Sequence, residues 1–119
     1  MIGEYKDLIL WGHIRELVKL IFSHDFLPPF EGQVKRAVIS IGANIAEGVG
    51  AGAGYLRRHL MIAKGSAFEV EALLILYHDL CFPDFNIYEA SVELLKNIIK
   101  GIDELRNIDT QNTIRKRIK

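Results

Sequence analysis

With 119 residues, half of them apolar, the chain has material for one continuous core and no second domain. Its fifteen basic and fifteen acidic residues cancel, which argues against a body that binds phosphates broadly, and its single cysteine, Cys81, excludes an internal disulfide and a cysteine-rich metal site. The balance is uneven along the chain: Arg115, Lys116, Arg117 and Lys119 form a basic tail on a body that is net acidic through Thr110.

The first helix is expected from about Glu4 to Ser23, because Trp11, Ile14, Val18 and Ile21 recur at three- and four-residue spacings, with Leu10, Leu17 and Phe22 widening the stripe. Charged residues interrupt this apolar run (His13, Arg15, Glu16, Lys19), and no small-residue cleavage site follows it. A signal peptide or membrane span is therefore not expected, and a reducing, cytoplasmic setting fits the lone cysteine. Pro28 and Pro29 end the helix pattern. The intervening Phe26, Leu27 and Phe30 are expected to fold back as an apolar plug over one end of the molecule.

A second helix is predicted from near Glu31, whose charge suits a helix N-terminus, through Val34, Ala37, Val38, Ile41 and Ile45 to a stop at Gly48. The glycine-rich run from 48 to 54 reads as a turn. It lacks the Gly-Lys-Ser/Thr ending of a phosphate-binding loop and does not follow a strand. The third helix, from about Gly54, carries Leu56, Leu60, Ala63, Ala67, Val70, Leu74 and Tyr77 in near-heptad register, with Pro83 beyond its end. Asn86 and Glu89 have the spacing of a capping box, and Val92, Leu95, Ile99, Ile102 and Leu105 mark the inner face of a fourth helix. Four such segments with short links and no alternating run predict an all-α, antiparallel up-and-down four-helix bundle over residues 1–110, followed by the basic tail 111–119.

Several short motifs carry a resemblance. Asp7-Leu8-Ile9-Leu10-Trp11, Arg36-Ala37, Ser40-Ile41-Gly42-Ala43-Asn44-Ile45-Ala46-Glu47-Gly48 and Ile62-Ala63-Lys64-Gly65-Ser66, with Glu69 and Glu71 after it, resemble the four-helix bundle family encoded in intervening sequences of bacterial 23S ribosomal RNA genes. The likeness covers most of residues 5 to 105. Gly42-Ala43 stand where that family typically has Pro-Ser, and 49–54 is Gly/Ala-rich where relatives usually carry basic and hydroxyl residues. The resemblance implies a small bundle that assembles, often as a pentamer. It also points to the related accessory proteins of diversity-generating retroelements, which partner a reverse transcriptase and bind nucleic acid.

Read as chemistry, the residues offer little for catalysis. Ser40 and Ser66 lie in no nucleophile elbow, and His13, His24, His59 and His78 form no i, i+4 pair or H-E-x-x-H. Cys81 at a helix end is a poor thiolate. Asn44 and Glu47 share a helix face, where the simpler reading is hydrogen bonding to a neighbouring helix or to a backbone group at the glycine break; a ring of Glu47 carboxylates binding a cation is the functional one. Gly65, Ser66 and Ala67, with Gly42, Ala43 and Ala46, are expected to allow close approach between helices or subunits.

Candidate nucleic-acid contacts are Lys35 and Arg36 at the start of the second helix, Arg57, Arg58 and Lys64 with His59 on the third, and Arg115, Lys116 and Arg117 in the tail. Because the second and third helices run antiparallel, the body's cations are expected as two small groups. The expectation is a non-enzymatic homo-oligomer without cofactors that presents surfaces to RNA or to a nucleic-acid enzyme. The alternatives are a protein-interaction partner with no nucleic-acid affinity of its own and a small metal-binding bundle, for which the necessary Glu-x-x-His pattern is missing.

Overall fold

The computed structural model describes residues 4–81 and 85–118. A 3-10 turn, Tyr5–Asp7, precedes α1 (Ile9–Phe22), α2 (Phe30–Ala51), α3 (Ala53–Cys81) and α4 (Phe85–Ile118). Each helix packs on its neighbours in cyclic order: α1 on α2, α2 on α3, α3 on α4 and α4 back on α1, with no close backbone approach across the diagonals among the described residues. The result is an all-α, antiparallel up-and-down four-helix bundle of 56 × 28 × 21 Å. Its long axis follows α4, whose 34 residues span about 51 Å at about 1.5 Å each.

The first helix begins later than its apolar pattern suggested. Leu8 is extended (ψ 135°) and separates the turn at residues 5–7 from α1, while the Tyr5 ring packs edge-on against Trp11 at 4.9 Å between centroids. The buried seam of α1 is Leu10, Ile14, Leu17 and Ile21, all within the predicted stripe, while Trp11 and Val18 are half-buried beside α2 and Phe22 is exposed. In α3 the predicted register holds: Leu60, Ala63, Ala67, Val70, Leu74 and Tyr77 are all buried and Leu56 partly so. In α4 the inner line is Ser91, Leu95, Ile98 and Ile102, with Val92, Ile99 and Leu105 at its edges.

Gly48 does not stop α2. The helix continues to Ala51, and the turn is made by Gly52, whose φ of 99° is open to glycine and strained for other residues. Gly48 instead permits close packing: a Cβ there would lie 2.9 Å from the Cβ of His59 and 3.4 Å from the Cα of Leu56. Asn86 lies inside α4, which has already begun at Phe85, so it is not the cap of that helix. Pro83, expected beyond the end of α3, lies outside the described residues. The basic segment from residue 111 is backbone continuous with α4 as far as Ile118.

The plug between α1 and α2 forms in part. Phe26 is buried and Phe30 half-buried, both meeting the Tyr77 ring edge-on. The Leu27 side chain stays outside, while its N–H donates to the Tyr77 hydroxyl at 3.0 Å. Glu31 fixes the same segment by accepting the Phe26 N–H at 2.7 Å and pairing with Lys35 one turn on.

Two outcomes follow for stability at fixed protein concentration, read by urea denaturation. Gly48→Ala is expected to destabilise the fold by about 1 to 3 kcal/mol, because the new methyl meets atoms anchored to the α3 backbone. Gly12→Ala, where a Cβ meets nothing within 4 Å, is expected to stabilise by up to about 1 kcal/mol through helix propensity. A third outcome concerns pH. The Lys35 ammonium, and after it the Phe26 N–H, hold the Glu31 carboxyl below its ordinary 4.5. Its contribution should be complete above about pH 4.5 and disappear as pH falls through the lower folded value. In Glu31→Gln this component of acid destabilisation should be absent.

Candidate functional site

The signature segment of α2 faces α3 across a line of polar contacts. Moving up α2 and down α3, Arg36 pairs with Glu69 at 2.6 Å, the Ser40 and Ser66 hydroxyls meet at 2.9 Å, and Asn44 meets His59 at 3.0 Å. Small residues make this line possible. Ala37, Ala63 and Ala67 are fully buried and Gly48 admits His59, so the two helices make the most extensive contact in the bundle.

The hydrogen-bond roles are determined by the donors. The Asn44 amide nitrogen donates to the Ser40 carbonyl at 2.8 Å and to its hydroxyl at 3.2 Å, so the Asn44 oxygen faces His59. That oxygen only accepts, so the imidazole Nδ1 carries the proton. Glu47 Oε2 lies 3.5 Å from the same Nδ1, but its side chain is 66% exposed and adds little. Neither serine hydroxyl bonds to the imidazole. Ser40 and Ser66 satisfy each other and Asn44, which is a fastening between helices and not an activated nucleophile.

The sequence reading placed Asn44 and Glu47 on one face and expected a neighbouring helix as their partner, and His59 of α3 is that partner. The role of His59 was missed because it follows Arg57 and Arg58 and reads as part of a basic run. The available signal was the turn: Asn44 and His59 are nearly equidistant from Gly52, so antiparallel helices bring them together. Of the small residues expected to allow close approach between helices or subunits, Gly42 and Ala67 are buried between helices, while Gly65 and Ala43 look outward and a Cβ on Gly65 meets nothing within 4 Å; within the bundle close approach rests on Gly42, Gly48, Ala63 and Ala67.

The cations fall into two classes. Lys35, Arg36 and Lys64 are taken up by Glu31, Glu69 and Asp103, the last pair at 2.8 Å. Arg57 and Arg58 are exposed and enter no ion pair among the described residues. They lie in the first turns of α3. The antiparallel order puts that end of the bundle beside the C-terminal part of α4, which carries positions 115–117. Among the described residues no three His, Cys, Asp or Glu side chains converge on a possible metal site, and no helix is long and apolar enough to cross a membrane.

Two grooves among the described residues flank α1. One, of about 470 Å³, lies between α1 and α4 and mixes Ile9 and Ile108 with His13, Lys100 and Glu104. The other, of about 360 Å³, lies between α1 and α2 and is apolar within: Trp11, Ile14, Val18, Ile39, Gly42 and Ala43 line it, and Arg15 and Lys19 stand at its rim.

If the polar line fastens α2 to α3, Asn44→Ala should lower unfolding free energy by about 1 to 3 kcal/mol, because His59 and Ser40 both lose a partner. Glu47→Gln, at an exposed position, should stay within about 0.5 kcal/mol of the parent. Urea titration of both variants at one protein concentration checks the contrast.

A search of curated proteins returns no match. The family model described as 23S rRNA-intervening sequence protein matches residues 6–107, a span that takes in α1, α2, α3, the polar line between the middle helices and most of α4. The chain belongs to the 23S rRNA-intervening sequence protein family.

Proposed function

We propose that this protein is a non-enzymatic subunit of a homo-oligomer, a pentamer in line with its family resemblance, that offers a basic end to RNA in the cytoplasm. The observation that carries the reading is the outer face of α3. Met61, Ile62, Phe68, Ile75, Leu76 and Leu80 each keep 40 to 70% of their surface in water, while the opposite face of the same helix is fully used in the core. At about 200 Å² for a large side chain, this is an exposed apolar area of roughly 600 Å², at the top of what monomers leave uncovered. Covering it with another subunit is the simplest use of such a face.

Nucleic-acid affinity is supported by Arg57 and Arg58 together with the basic positions of α4 at the same bundle end. One subunit offers few contacts, but a ring repeats them. Each phosphate neutralised contributes about 0.9 to the log-log salt slope on duplex and about 0.7 on single strands. Because the charged end is small, a protein partner such as a reverse transcriptase, contacted without intrinsic nucleic-acid binding, is the second reading. The single cysteine and the serines held in the polar line support the non-enzymatic part.

Light scattering on the purified chain should give a multiple of its 13.5 kDa mass. Binding to structured ribosomal RNA should fall steeply between two salt concentrations. Arg57→Ala with Arg58→Ala should weaken it and reduce the salt slope, whereas Lys35→Ala with Arg36→Ala should leave the slope unchanged, since those cations already have carboxylates. No binding at low salt would overturn the nucleic-acid reading in favour of the protein-partner one.

A further inference from the structure

The exposed face of α3 is a ridge, and the surface between α1 and α2 is a trough of the same apolar character. On α3 the spacing 61, 65, 68, 72, 75/76 forms one line along the helix. Met61, Phe68, Ile75 and Leu76 project from it, and Gly65 and Ala72 make dips between them. On the other side, Gly42 and Ala43 floor a trough walled by Trp11, Val18 and Ile39. Helices pack by laying such ridges into grooves, and a trough between two helices is the natural seat of a third.

Charge points the same way at the Asp79 end of the ridge, the end away from Arg57 and Arg58. The rim of the trough is cationic through Arg15 and Lys19, and Asp79 continues the line of the ridge one turn beyond Leu76. None of the three is in an ion pair among the described residues. Met61, Phe68, Ile75 and Leu76 on the ridge expose roughly 400 Å² of apolar area, and the flanking Ile62 and Leu80 bring the face to roughly 600 Å², toward the roughly 800 Å² per partner of a stable interface. The two surfaces share no residue, and α3 lies diagonally across the bundle from α1. A single chain therefore cannot satisfy one with the other.

We infer that the α3 ridge of one copy seats in the α1–α2 groove of the next, with Phe68 as the central side chain entering the trough. The inference rests on the assembly reading above and names the faces that join. Such a contact is heterologous, so every subunit offers one ridge and one groove, and repetition closes a ring when the rotation allows it. The pair of small residues at 42 and 43 acquires a purpose here: Gly42 lets α1 settle close, with Ile14 Cγ2 at 3.2 Å from where its Cβ would be, and Ala43 keeps the trough open.

The test uses two full-length variants, Phe68→Glu on the ridge and Ala43→Glu in the groove, both at exposed positions. Folding is checked by circular dichroism. If either variant fails to fold, Met61→Lys or Ile39→Lys replaces it. In sedimentation velocity each variant alone should run as a single chain, a loss of all larger species. An equimolar mixture should form a 1:1 complex and nothing larger, because one competent ridge and one competent groove remain. Variants that keep the parent's assembled mass, or a mixture that stays as two separate monomers, would overturn the ridge-in-groove contact while leaving assembly intact. A parent chain that is itself monomeric would overturn the assembly reading and this inference with it.

Discussion

The close approach of α2 and α3 governs the rest of the molecule. Fully buried Ala37, Ala63 and Ala67, with Gly48 admitting His59, bring the two backbones together, and the Arg36–Glu69, Ser40–Ser66 and Asn44–His59 contacts set their register. Sliding one helix by a turn would unpair these groups in a partly buried line, where a lost hydrogen bond costs about 1 to 3 kcal/mol. A contact made from small residues buries little area of its own. The large apolar side chains of α3 are therefore divided between the core, with Leu60, Val70 and Leu74, and the outside, with Met61, Phe68 and Leu76.

The same contact decides which charges remain available. Pairing α2 with α3, and α3 with α4, uses Arg36 and Lys64 as internal ties, and Lys35 is held by Glu31 beside the plug. Among the candidate nucleic-acid contacts of the body, Arg57 and Arg58 near the Gly52 turn stay uncommitted, close to the end toward which α4 carries its basic positions. A chain with no net charge thus keeps one pair of uncommitted arginines near the Gly52 turn, a second pair of uncommitted cations, Arg15 and Lys19, beside the α1–α2 groove, and an apolar surplus along α3.

Most of the architecture was legible because helix periodicity is a local signal. The core line of α3 can be read directly from Leu60, Ala63, Ala67, Val70, Leu74 and Tyr77, and it is buried in full. The errors arose where tertiary contact outweighs local preference. Gly48 looks like a helix end because glycine is a poor helix former, yet the space it leaves for His59 is what counts. On α1 the predicted stripe holds both Leu10/Leu17 and Trp11/Val18, and only the positions of α2 and α4 decide which pair is buried more deeply. The partnership of His59 with Asn44 is a fact about two helices and is invisible on either alone, whereas the outward face of α3 was hidden by the strength of its inward one.

The central claim is that the outer face of α3 is covered when the protein is in its working state. Hydroxyl-radical footprinting across a dilution series measures this directly, with Met61 and Phe68 as built-in reporters. The account predicts that both side chains are protected at high concentration and become reactive on dilution, while Leu60 and Val70 stay protected throughout. Equal reactivity of Met61 and Phe68 at every concentration would contradict it.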